Sequence, residues 1–266
     1  MLRAVIFDMD GTLIDTERLN VRFWMEAGRI HGFDITRDEV LHIRSLDGRL
    51  AREYLASNHP GFDFDAVREE RRRLMAEHVG REGLELKPHV VDALERLRGL
   101  GLKTAVATAS RPDHAYGYLE MLGIRGMFDE IVCTSSVEHG KPSPDVYLYA
   151  CERIGEGPVD CLAVEDAPNG VRSAYDAGCA VAFVPDLTGP DDEMRSKARV
   201  FPDLGALAES IEDGTFRCRP RTIRPRDYRR TMLVPGVRIV RERSRNPVNR
   251  LTERPRSLQV PADEGH

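Results

Sequence analysis

A chain of 266 residues, 41% apolar and 31% charged, has room for one large or two modest domains and the balance of a soluble globular protein with a real core. Its five cysteines (Cys133, Cys151, Cys161, Cys179, Cys218) are odd in number and form no C-x-x-C pair, which argues against a disulfide framework and a cysteine-based zinc site and for reduced thiols in a cytoplasmic protein. No apolar run approaches the ~18 residues of a membrane span or forms a signal peptide, and the net charge of −5 is uneven: residues 214–266 hold 14 Arg against five Asp or Glu, a balance of +9, leaving about −14 elsewhere.

The first predicted strand is Val5-Ile6-Phe7, and it runs into Asp8-Met9-Asp10-Gly11-Thr12. Side chains at i and i+2 of a strand share a face, so Asp8 and Asp10 leave the strand end together. Two adjacent carboxylates are costly unless a cation or a proton-transfer role accounts for them. Thr16 is positioned to cap a helix bearing Leu19, Phe23, Ala27 and Ile30 at helical spacing, with Trp24 beside that stripe. Thr36-Arg37-Asp38-Glu39 is a capping box ahead of Val40, Leu41 and Ile43. A loop from Arg44 to Gly48 precedes a helical stretch ending near Asn58, and a further helix is expected from Asp65 to about Gly80. Within it, Glu69-Glu70 and Arg71-Arg72-Arg73 read as a solvated face. Residues 16–82 therefore form an all-helical module.

Beyond it the pattern changes. Pro88 opens a helix with Val90, Leu94 and Leu97 on one face. Predicted strands at 102–108, 131–133, 161–164 and 180–184 then alternate with helices at 112–122, 144–154 and 169–177. That alternation predicts an α/β fold, a doubly wound parallel Rossmann-like sheet covered on both faces. Its core is assigned to residues 1–15 and 83–213, with the helical module of 16–82 inserted as a cap. Val200-Phe201 is expected as a short edge strand, and Leu204, Leu207 and Ile211 mark a last helix. Residues 214–266, with six prolines and the arginine excess, are expected to be mostly disordered, apart from a candidate hairpin over Met232–Val240.

Sites in doubly wound sheets form at the carboxyl ends of the strands. Here those ends carry Asp8 and Asp10; Thr108, Ala109, Ser110 and Arg111; Lys141 within Gly140-Lys141-Pro142-Ser143-Pro144-Asp145; and Glu165-Asp166. Four carboxylates with a lysine and a hydroxyl form a hard-oxygen ligand set that suits Mg2+. Each group has a plainer reading. Thr108 or Ser110 would only cap the following helix, Lys141 would be a surface lysine, and Glu165-Asp166 would cap the helix after Pro168. His31, His42, His59 and His89 show no metal-ligand spacing and are assigned surface or structural roles.

The order D-x-D-G-T, strand-end Thr, K-P-x-P-D and E-D over about residues 1–213 resembles the haloacid dehalogenase superfamily. The closest resemblance is to its helical-cap branch, which includes β-phosphoglucomutase and sugar-phosphate phosphatases. The resemblance implies that Asp8 is the nucleophile, forming an aspartyl-phosphate, and that Asp10 is the general acid and base. It implies metal ligation by Asp8, the main-chain carbonyl of Asp10 and Asp166, with Glu165 adjacent. Thr108 and Lys141 would bind phosphoryl oxygens beside Ala109 and Ser110, and Lys141 would keep Asp8 ionised. Arg49, in the cap loop with Asp47 and Gly48, is a candidate for contacting a phosphate or sugar hydroxyl, or else an exposed arginine.

Asp10 argues against dehalogenation, which needs no acid for an alcohol leaving group. In the mutase branch a histidine lies five residues after the position of Asp15; this chain has Asn20, which cannot titrate. The expectation is a Mg2+-dependent phosphatase acting on a small phosphorylated metabolite, a sugar phosphate by resemblance. A hexose-phosphate mutase is the weaker enzymatic alternative. An inactive protein binding nucleic acid through its basic tail is the weakest. No membrane partner is expected, and a monomer is favoured.

Overall fold

The computed structural model describes residues 1–44, 46 and 48–216. Asp47, Cys218, the segment Met232–Val240 and the rest of the chain from 217 onward lie outside the described residues. Six parallel strands form one sheet: β1 (Ala4–Phe7), β2 (Lys103–Thr108), β3 (Glu130–Cys133), β4 (Cys161–Glu165), β5 (Ala180–Phe183) and β6 (Arg199–Val200), in the order β3-β2-β1-β4-β5-β6. The chain winds outward from β1 through β2 to β3, then returns to β4 on the other side of β1. The direction of winding reverses beside β1, and a doubly wound sheet opens a crevice at such a point.

The period of two along β1 sorts its side chains between two cores. Val5 and Phe7 face α5 (Val90–Gly99), α6 (Pro112–Met121) and α10 (Leu204–Glu212), packing with Leu94, Leu119 and Leu207. Ala4 and Ile6 face α7 (Asp145–Ile154) and α8 (Pro168–Ala177), packing with Tyr147, Ala150 and Val171. α9 (Asp192–Lys197), capped by Asp191 on Met194 N, was not expected, because six residues hold too little apolar periodicity to register. Phe216, assigned with the tail from composition, instead packs against Phe201 with ring centroids 6.1 Å apart. The four described cysteines are free and buried. Among the described residues no helix is long and apolar enough to cross a membrane.

Between β1 and α5 stand four helices of the described residues: α1 (Glu17–Ile30), α2 (Arg37–Ile43), α3 (Gly48–Asn58) and α4 (Phe64–Glu82). They bury a cluster of their own around Val21, Ile35, Leu55, Phe64 and Val67. The capping box is formed, with Thr36 and Glu39 bonding each other's backbone N–H. Thr16 occupies the N-cap position of α1 but makes no cap bond, since its hydroxyl is turned to Asp10. The two crossings to the sheet run side by side, with Asp15 N–H donating to Glu85 O and Lys87 N–H to Leu13 O.

α8 approaches the end of β4 so closely that a Cβ on Gly170 would lie 2.0 Å from the Glu165 carboxyl. Gly170→Ala should therefore lower unfolding free energy by about 1–3 kcal/mol in denaturant titration, the cost of overpacking a tight core site. Gly80→Ala, in α4 with no heavy atom within 4 Å of the added Cβ, should instead be neutral or stabilise by up to about 1 kcal/mol.

Candidate active site

Asp8 is the first residue past β1, continuing the Ala4–Ile6 face, and Glu165 ends β4 on the same face, after Cys161 and Ala163. Lys141 comes in from the loop before α7 and is fully buried. Its Nζ donates to Asp8 Oδ1 at 2.5 Å, Glu165 Oε1 at 2.7 Å and Ala107 O at 3.1 Å, so all three ammonium protons are used. Tyr147 Oη donates to the same Glu165 oxygen at 2.5 Å. The surface-lysine reading of Lys141 is thereby excluded. The capping reading of Glu165-Asp166 is excluded as well, because Ala167 is the N-cap of α8 and no side chain caps it.

Asp10 is held by two hydroxyls. Thr16 Oγ1 donates to Oδ1 at 2.5 Å and Ser110 Oγ to Oδ2 at 2.7 Å. Ser110 N–H in turn donates to Thr108 Oγ1 at 3.0 Å, which orders the turn after β2. Neither caps α6, whose N-cap is Arg111 without a side-chain bond. Asp8, Asp10, Ala109 and Ser110 line a cleft of about 150 Å³, roofed by Trp24, Arg68 and Arg71 from the helical insertion. Thr108, Glu165 and Asp166 are fully buried around it.

Arg49 is not brought into that cleft. It is exposed on α3, pairs with Glu53 at 2.8 Å, and lines only an adjoining hollow shared with Lys141 and Ser110. A larger hollow of about 610 Å³ lies beside β5 and β6, and its described lining contains no carboxylate.

Four functional-looking residues escaped the sequence reading. Glu17, in the first turn of α1, is buried near Asp8 and Asp10. Arg44, just past α2, reaches across to the sheet: Nη2 donates to Asp166 O and Thr188 Oγ1, both at 3.1 Å, and Nη1 lies 3.4 Å from Asp166 Oδ2. Tyr147 is the phenol on Glu165. Arg71 was assigned to a solvated face, yet it turns inward, donating to Asn20 Oδ1 at 2.6 Å with its guanidinium over the Trp24 ring, while Arg73 is exposed with Glu70 and Glu77 and the half-buried Arg72 pairs with the exposed Glu69. The signal for Arg71 is its register: it falls on the stripe Val67, Met75, Val79, spaced by four, which is the buried side of α4.

Burial pushes the Asp8 carboxyl up to about 8, Lys141 pulls it back, and Glu165 and Asp10 push it further. Lys141 thus acts in the expected direction, but desolvation and crowded carboxylates outweigh it. Asp166 is raised well above the ordinary range, first by burial, with Arg44 opposing and Asp8, Glu17 and Glu165 adding to the rise. A divalent cation would reverse this balance, and the donor set fits one. Carboxylate oxygens of Asp8, Glu165 and Asp166 lie within 4.8 Å of one another. Glu165 Oε2 and both Asp166 oxygens are buried without a hydrogen-bond partner. Gly11, at φ +84°, keeps the space beside Asp166 Oδ2 open, where a Cβ would stand only 2.4 Å away. Hard oxygen donors in this arrangement suit Mg2+.

Glu17 is pushed up to about 8 by burial, with Arg44 opposing, from an ordinary value of 4.5. Between those values the native state retains a proton that the unfolded chain has lost. The associated stability is complete below about 4.5 and disappears as pH rises through about 8. Asp8 and Asp166 act in the same direction. Metal-free protein should therefore show a falling thermal midpoint from pH 5 to pH 8.5, and Glu17→Gln should flatten that slope.

Residues 2–178 match the family model for haloacid dehalogenase-like hydrolases. The plasmid-encoded protein CbbY of Cupriavidus necator is 34% identical over 225 residues, covering 79% of this chain and 89% of its own. The fructose-1-phosphate phosphatase YqaB of Escherichia coli is 31% identical over 176 residues, covering 66% of this chain and 92% of its own. Among solved structures, a hydrolase from Pseudomonas syringae superposes with a TM-score of 0.70 at 26% identity, covering 79% of this chain and 98% of that one. The chain accordingly belongs to the haloacid dehalogenase-like hydrolases, in their helical-cap branch, as a phosphoric monoester hydrolase.

Proposed function

We propose that this enzyme hydrolyses the phosphate ester of a small sugar-like metabolite through an aspartyl-phosphate on Asp8, with Mg2+ as its cofactor. The observation that carries the reading is the pair of unequal carboxylates at one strand end. Asp8 is tied by one oxygen to a buried lysine, and Asp10 is held by two hydroxyls at the mouth of the cleft. A carboxylate whose Oδ1 is occupied by Lys141 attacks phosphorus with Oδ2, in an orientation the lysine fixes. Asp10, oriented by Thr16 and Ser110, protonates the departing alcohol and then takes a proton from the water that opens the acyl-phosphate. Lys141, whose charge lies beside Asp8, and Thr108, at the turn after β2, would offset the charge that gathers on the equatorial phosphoryl oxygens.

Mg2+ would be held by Asp8 and Asp166 with the Asp10 carbonyl, Glu165 being partly committed to Lys141 and Tyr147, and when bound it would neutralise phosphoryl charge. The helical roof over the cleft excludes bulk water from the acyl-phosphate once the substrate is seated. Asn20 lines this roof and offers no titratable proton, which supports net hydrolysis over the return of the phosphoryl group to a sugar.

Phosphate release from p-nitrophenyl phosphate and a sugar-phosphate panel, with Mg2+ and with EDTA, tests the reading. Release should need Mg2+, vanish in Asp8→Asn, and fall by about 10²–10⁴ in kcat for Asp10→Asn, the usual worth of a general acid–base. Metal-independent release, or an Asp8→Asn variant as active as the parent, would overturn it.

A further inference from the structure

Glu165 ends β4 as a fully buried carboxylate, and its two oxygens are treated unequally. Oε1 accepts two hydrogen bonds, from Lys141 Nζ at 2.7 Å and from Tyr147 Oη at 2.5 Å. Oε2 is buried as well and accepts none. Glu165 is also one of the three residues, with Asp8 and Asp166, whose carboxylate oxygens cluster within 4.8 Å. Since two donors already fill Oε1, the oxygen of Glu165 with capacity left for a cation is Oε2.

Both donors come from one stretch of chain. Lys141 lies in the loop before α7, and Tyr147 lies in the first turn of that helix. Tyr147 N–H donates to Pro144 O at 3.1 Å, and Ser173 Oγ of α8 donates to Ser143 O at 2.5 Å, which ties the stretch to its neighbouring helix. The Tyr147 side chain is fully buried, with Val146, Ala150 and Cys151 of the same helix also buried. Lys141 Nζ lies 5.3 Å from its ring centroid. Gly170 of α8 crowds the same Glu165 carboxyl, where an added Cβ would lie 2.0 Å away.

A glutamate carboxyl is two-fold about its last bond, so rotation exchanges its oxygens. A lysine cannot prevent that exchange alone, because its ammonium is a point charge with rotating donors that would serve either oxygen. The phenol differs. Its single proton stands at the end of a rigid, packed ring, and it accepts only one placement of Oε1.

We infer that Tyr147 is a positioning residue for the cofactor site: its hydroxyl commits Oε1 of Glu165 to the chain and so presents Oε2 to Mg2+. This rests on the Mg2+-dependent phosphatase reading and adds the residue that sets how tightly the metal is held. Hydrogen-bond partners of metal-binding carboxylates orient them, and loss of one typically weakens metal binding by about 10–100-fold.

Tyr147→Phe keeps the ring and removes only the hydroxyl. A ligand that binds the folded state alone raises the thermal midpoint by mass action, so the midpoint reads Mg2+ affinity without turnover. The Mg2+ concentration at which the midpoint begins to rise above its metal-free value should be about tenfold higher in Tyr147→Phe than in the parent. Phosphate release from p-nitrophenyl phosphate should show the same displacement in its Mg2+ requirement, with kcat recovered in excess Mg2+ and KM for the ester unchanged. In a Glu165→Ala background, with no carboxyl left to orient, Tyr147→Phe should displace the Mg2+ onset no further. The inference fails if the parent's midpoint does not respond to Mg2+, or if the onset is the same in Tyr147→Phe, whatever happens to the metal-free midpoint. It fails equally if the displacement persists undiminished on top of Glu165→Ala. Hydrolysis that needs Mg2+ to the same extent in parent and variant removes only this role of Tyr147. A displaced onset with no hydrolysis of any ester leaves the role standing and removes the phosphatase reading.

Discussion

The site depends on a single buried lysine. Lys141 is fully enclosed, yet it is stable there because its three protons meet Asp8, Glu165 and a main-chain carbonyl. Around it stand four buried carboxylates, Asp8, Glu17, Glu165 and Asp166, against two buried cations, Lys141 and Arg44. Fully ionised, that cluster carries an excess of two negative charges, which is the charge of one divalent ion. Isolated buried charges cost several kcal/mol each, so the chain alone either holds protons on these acids or recruits a cation. The raised acidities of Asp8, Glu17 and Asp166 express the first option, and the unpartnered oxygens of Asp166 and Glu165 provide for the second.

The strand pattern makes this concentration of charge affordable. Ala105, Ala107 and Ala163 are the small residues that the sheet presents on the face where Lys141 enters. Tyr147, planted on α7, closes the far side of Glu165 with a hydrogen bond rather than a charge. Because β1 lies between β2 and β4, the nucleophile, the turn of Thr108 and Ser110, and the Glu165-Asp166 pair all emerge along one edge. The reversal of winding beside β1 therefore determines which residues can meet.

Much of this was legible in the sequence, for a physical reason. Parallel strands buried on both faces read as apolar runs, and polar residues at their carboxyl ends have few roles other than chemistry. The strand ends at Asp8, Thr108 and Glu165 were visible on those terms, and so was the interruption of the sheet by a helical insertion. Glu17, Arg44 and Arg71 were not. Glu17 and Arg71 are charged residues at inward-turned register positions of helices that carry many other charges, and Arg44 stands just past the end of α2; composition cannot say which charge of such a segment turns inward. For Arg71 only the spacing from Val67 to Met75 distinguishes it from Arg72 and Arg73. Arg49 was ambiguous in the opposite way: of its two readings, a substrate contact or an exposed arginine, it is exposed on α3, paired with Glu53 and at the adjoining hollow rather than in the cleft.

Arg44 joins the two halves of the molecule energetically. It belongs to the helical insertion, yet its bonds run to Asp166 O and Thr188 of the core, and Asn169 Nδ2 donates back to Arg44 O at 2.9 Å. Moving the insertion away about its paired crossings at Asp15 and Lys87 would break all three bonds. It would also withdraw the positive charge next to Asp166, and the carboxylate cluster would be left one charge more negative. Closure of the roof and the charge balance of the floor are therefore one equilibrium, not two.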